Sequence, residues 1–166
     1  MRVRSIRLIA VALAAGSMIA VPLAQSASAA GGATCSKASN VTNLAKLTST
    51  STLTVCTNPT ATGGKGTMVI NLTNYATTGK LTAVVTWNKT GTSKLKLQTK
   101  KGTAAQIKAC VKAVGKNASA ASSTGTVTGG SGKALKGIPV GSKYSEVVCY
   151  SATNKVTLYP GSKVVF

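Results

Sequence analysis

The sequence predicts a mainly β protein: a small disulfide-stapled antiparallel β-sandwich or partly open barrel with one short helix. Three observations carry that expectation. Apolar and polar residues alternate in short runs parted by Gly/Thr turns, one stretch after Thr103 switches to helical spacing, and four cysteines are spread along a chain rich in Thr, Ser and Asn.

Residues 1–29 read as a secretory signal peptide, with a basic start (Met1–Arg7), an apolar run (Leu8–Leu23) and a small-residue exit, Ala27-Ser28-Ala29. Gly16, Ser17, Pro22 and Gln25 interrupt the apolar character, so the segment is expected to be cleaved and to leave no transmembrane segment. The chain is thus read as a secreted, extracellular bacterial protein, with residues 30–166 as a single cationic β-rich domain.

The elements follow in order. Thr52–Cys56 is β-rich and ends at the breaker pair Asn58-Pro59, so a strand is expected there. After the glycine turn Gly63–Gly66, the run from Thr67 places Met68, Ile70 and Leu72 on one face. Thr77–Gly79 turns the chain, and the next run places Leu81, Ala83, Val85 and Trp87 on one face. A further turn leads to Lys94–Lys100, with Leu95 and Leu97 facing in and the lysines out. Together these runs predict a three-stranded meander with a wet, basic outer face.

At Thr103 the period changes. Thr103 and Gln106 have capping-box spacing, Ile107, Cys110, Val111 and Val114 recur at i, i+3, i+4 and i+7, and Gly115 is placed to stop a helix. Residues 116–137 consist largely of Ser, Gly, Ala and Thr and are expected to form a flexible loop. Strands resume around Glu146–Ser151, Lys155–Tyr159 and Lys163–Phe166, with Pro160-Gly161 as a turn.

Cys35, Cys56, Cys110 and Cys149 are an even set in an exported chain and read as two disulfides. Three connectivities are open. Pairing Cys35 with Cys56 and Cys110 with Cys149 is favoured because each loop is then moderate and each half has its own staple. A zinc site is disfavoured, as there is no C-x-x-C pair and no histidine.

The residues that are missing bear most on function. Beyond the signal segment the chain has 17 lysines but no Arg, Asp or His, and Glu146 is its one acidic side chain. Ser-His-Asp and Cys-His catalysis lack histidine, paired-carboxylate hydrolysis lacks a second acid, and divalent metals lack ligands. The expectation is therefore a protein that is not an enzyme, with no catalytic residue, cofactor or metal. Glu146 is expected to be a single acid ion-paired with one of the many lysines near Cys149.

Lysine is a hydrated point charge without the bidentate fork of arginine, so sequence-specific nucleic-acid reading is not expected. Diffuse attraction to an anionic surface fits better. The candidate partner-binding residues are Lys94, Lys96, Lys100 and Lys101 on the third meander strand, with Lys108 and Lys112 on the helix that follows. The leading expectation is an adaptor docking electrostatically onto an acidic partner: an acidic protein of an extracellular assembly such as a toxin particle, or an anionic wall polymer. The alternatives are a cationic antimicrobial or membrane-active protein, and a protease inhibitor presenting the 116–137 loop.

Overall fold

The computed structural model describes residues 32–153 and 155–166, so the signal-peptide expectation for residues 1–29 lies outside the described residues. The strands are β1 (Thr34–Asn43), β2 (Thr48–Cys56), β3 (Lys65–Asn71), β4 (Lys80–Trp87), β5 (Gly91–Lys101), β6 (Ser119–Ser131), β7 (Lys143–Tyr150), β8 (Val156–Leu158) and β9 (Val164–Val165). Each of β1 to β7 pairs antiparallel with the next, and β8 bridges β7 back to β1. The result is a closed eight-stranded antiparallel barrel. Closure leaves no long free edge, which an open sheet of such polar strands would expose.

The extra strand β9 bridges the same two neighbours as β8, pairing Val165 with Ser145 of β7 and with Thr34 of β1. β8 and β9 are thus two collinear pieces of one closing strand, with residues 159–163 looped out between them. Pro160 fits that loop because it has no N–H to give to a ladder.

The predicted meander is β3–β4–β5, in the expected alternation: Met68, Ile70, Leu81, Ala83, Val85, Trp87, Leu95 and Leu97 are buried inside the barrel. Gly66, the cross-strand partner of Trp87, makes room for the indole; a Cβ there would lie 2.7 Å from Trp87 Cε3. The indole N–H donates to Ser93 Oγ at 2.9 Å, and its ring meets Phe166 edge-on with centroids 4.9 Å apart. Tyr144 packs on the other side of Phe166 at 5.3 Å. This half of the barrel is filled with side chains. Its end is closed by two short helices in contact with one another, α1 (Pro59–Thr62) and α4 (Gly132–Gly137), through buried Ala61 and Ala134.

Chain direction places the β1–β2 turn, the helix α2 (Tyr75–Thr78) and the β7–β8 turn at the opposite end. The predicted helix is α3 (Ala104–Val114), with both halves of the Thr103/Gln106 capping box formed. It lies outside the barrel against β6 and β7, packing Ile107, Cys110 and Val114 on Ala118, Ala120 and Cys149. Val111 belongs to the predicted apolar stripe but stays exposed, because only one narrow side of the helix meets the wall. Both disulfides form as favoured, Cys35–Cys56 across β1 and β2 and Cys110–Cys149 from α3 to β7.

Two expectations need correction. Residues 116–137 are not a flexible loop: they hold β6, at 13 residues the longest strand of the barrel, and α4. Small residues are what β6 needs, since a Cβ on Gly125 would come within 2.2 Å of the Lys96 carbonyl oxygen. A protease-inhibitor loop is therefore not available in this segment. Glu146, moreover, is not ion-paired with a lysine among the described residues. It alternates with Tyr144, Val148 and Tyr150 on the inward side of β7 and is buried, with 9 % of its surface exposed.

Candidate functional site

The outer wall is built by the polar half of each strand's alternation. On β5 the exposed lysines are Lys94, Lys96 and Lys100, with Lys101 exposed at the strand's end. Register carries the row sideways: Lys96 pairs with Thr82 on one side and Thr126 on the other, and Thr126 pairs with Lys143. Lys80 pairs with Gln98 on the adjacent outward row.

Lys80, Lys96 and Lys143 thus line one shallow external groove, floored by Thr82, Gln98 and Thr126. Of the six lysines singled out in the sequence, Lys96 alone lines this groove. Lys94, Lys100 and Lys101 share its strand, and Lys108 and Lys112 sit exposed on α3, whose packed side is turned to β6 and β7. The sequence did not group Lys80 and Lys143 with Lys96, because strand register across a closed sheet brings them together. The outward run of lysines and threonines around an apolar interior is the reverse of a membrane-spanning barrel, which carries its apolar band outside.

The second candidate site is inside. Beyond the Trp87–Phe166–Tyr144 packing, the barrel interior opens into a cavity of about 280 Å³. Ile70, Leu72, Leu81, Val148, Val156 and Leu158 supply much of its apolar wall. A polar band faces it. Asn40 donates to Ser51 Oγ at 2.8 Å and accepts from Ser49 Oγ at 2.7 Å, while across β5 and β6 the Thr99 and Ser123 hydroxyls are 2.9 Å apart.

Glu146, the cross-strand partner of Ser123, completes this band. No lysine forms an ion pair with it among the described residues, and no lysine lines the cavity. Burial pushes its carboxyl up to about 7, with the nearby Tyr144 hydroxyl pulling weakly the other way. The buried Thr157 hydroxyl on the cavity wall is without a partner. Burial raises Tyr144 and Tyr150 as well, Tyr150 to about 12, and the Glu146 charge adds to both. The alternation Tyr144, Glu146, Val148, Tyr150 is the signal in the sequence that marks Glu146 as inward-facing.

Fold and sites together define a closed antiparallel barrel with a polar, lysine-bearing wall and a half-filled interior holding one carboxyl group. No protein-family model, curated protein or solved structure matches the chain.

Proposed function

We propose that this is a secreted, non-enzymatic binding or adaptor protein whose lysine-bearing wall docks onto an acidic partner, either an acidic protein of an extracellular assembly or an anionic wall polymer. One observation supports this above the others: the only acidic side chain outside residues 1–29 is turned into the barrel, so the wall offers lysines with no acidic side chain to neutralise them. Lys80, Lys96 and Lys143, gathered in one groove among threonines and Gln98, form its focus. Lysine heads in such a setting attract an extended anionic surface rather than read a defined planar group.

The test is affinity capture from native culture fluid, and titration with poly-glutamate and teichoic acid, at low and moderate salt. The triple variant Lys80→Gln/Lys96→Gln/Lys143→Gln is expected to weaken binding and flatten its salt dependence. Unchanged binding by that variant, or loss of every partner at moderate salt, overturns the reading.

The membrane-active alternative draws on one observation. Val41, Leu44 and Leu47 are exposed at the β1–β2 end of the barrel, with Val41 75 % and Leu44 70 % exposed. Dye leakage from anionic vesicles at micromolar protein, abolished by Leu44→Ser/Leu47→Ser, decides for it.

A further inference from the structure

Glu146 takes no part in the docking wall, and its setting is costly unless something occupies the cavity. A buried carboxylate is stable only when paired or hydrogen-bonded, and otherwise takes up a proton. Here no lysine reaches it among the described residues, although 17 are present in the chain. The Tyr144 hydroxyl beside it only partly offsets the cost of burial, and the Thr157 hydroxyl on the cavity wall is unpartnered. An apolar wall continues from this polar band to Leu44 and Tyr75, which line the cavity and are exposed at the end holding the β1–β2 turn and α2. The site thus has an anionic acceptor at depth, hydroxyls beside it and an apolar path outward.

We propose that the barrel cavity binds a small organic amine, with its ammonium group on Glu146 among the hydroxyls of Thr99, Ser123 and Thr157, and its apolar body against Ile70, Leu72 and Leu158. The volume of about 280 Å³ admits a short-chain or single-ring amine. The lysines outside do not forbid a cation, because screening over about 8 Å at physiological salt mutes them while Glu146 acts at contact.

Among the described residues, the titratable groups about Glu146 are Tyr144 and Tyr150 on its own strand, with Tyr75 of α2 on the same cavity wall beside Tyr150; β5 and β6 present only the hydroxyls of Thr99 and Ser123. With both tyrosines of β7 shifted upward, binding should follow the ionisation of Glu146 itself. A carboxyl titrating at about 7 is about 25-fold more ionised at pH 7.5 than at pH 5.5, and octylamine keeps its proton across that range.

The experiment titrates n-octylamine, n-octanol and octanoate into the mature oxidised protein by calorimetry, with methyl NMR of Val148, Val156 and Leu158 reporting occupancy. Octylamine is expected to bind one per chain at pH 7.5, at least tenfold tighter than octanol, with octanoate weakest. Its affinity should fall about 25-fold at pH 5.5, and Glu146→Gln should reduce it to about the octanol level and abolish that pH dependence. Should Glu146→Gln fail to fold, the wild-type pH dependence and the ligand order still decide. Three results overturn the proposal: no binding of octylamine, octanol binding as tightly as octylamine, or octylamine affinity that is independent of pH. Failure here leaves the lysine-wall reading untouched, since none of these measurements involves the outer groove.

Discussion

Titrating the stability of the protein between pH 4 and pH 8 isolates one side chain. The chain has no histidine, its four cysteines are bonded, and Glu146 is its only acidic side chain, so no other side chain of a type that ordinarily titrates in this window is present. Model chain termini titrate at about 3.5 and about 8, at its margins. In the unfolded chain Glu146 loses its proton near 4.5, whereas in the folded barrel burial holds the proton to about 7. Between those values the folded state binds the proton that the unfolded state has released, so stability falls as pH rises and levels off above about 7. At about 1.4 kcal/mol per pH unit, the loss is about 3 kcal/mol. For a chain of this size that corresponds to roughly 10 °C in melting temperature. Urea unfolding at constant ionic strength, free of added amines, measures it directly. Glu146→Gln, which cannot ionise, is expected to show a flat profile and to exceed the wild type by about 3 kcal/mol at pH 8. A wild-type profile that is flat or rises with pH, or a Gln variant with the same slope, refutes the reasoning.

Two further predictions concern the scaffold. Closing a 21-residue and a 39-residue separation, the disulfides are expected to contribute about 3 and about 4 kcal/mol by restricting the unfolded chain, and loss of Cys110–Cys149 should free α3 first, seen as early amide exchange over residues 104–114. Trp87→Ala should cost about 3–5 kcal/mol in denaturant unfolding, while Gly66→Val should be destabilising in spite of its higher strand propensity, because its side chain meets the indole.

How far the structure was legible in the sequence depended on what each strand faces. β3, β4 and β5 point large apolar residues into the filled half of the barrel, and their alternation is plain. The α3 helix announces itself by its cap and its period. β1 and β6 are different. The inward positions Ala38, Asn40 and Thr42 of β1 line a cavity, and those of β6 (Ala121, Ser123, Gly125) are small or polar because bulky neighbours and a carboxyl group fill the space before them. A strand facing a cavity or a bulky neighbour has no apolar stripe to read, so the sequence of β1 carries no strand signal and that of β6 resembles a loop. The lysine wall was legible strand by strand, and its grouping was not, because Lys80, Lys96 and Lys143 meet only through register. The abundance of lysine suggests an ion pair for Glu146, whereas its alternating neighbours Tyr144, Val148 and Tyr150 mark it as inward-facing.

The divided closing strand has a consequence in time. Ala33 and Phe166 exchange backbone hydrogen bonds at 3.1 and 2.8 Å, and the seam between β7 and β1 is filled only by residues from 156 onward. A chain emerging N-terminus first can form the β3–β5 meander early from local contacts, but the ring stays open, and Trp87 lacks its Phe166 neighbour, until residues 156–166 are added. Residues 156–166 are therefore the latch of the barrel, and until they pair, the facing edges of β1 and β7 stay open to any other strand.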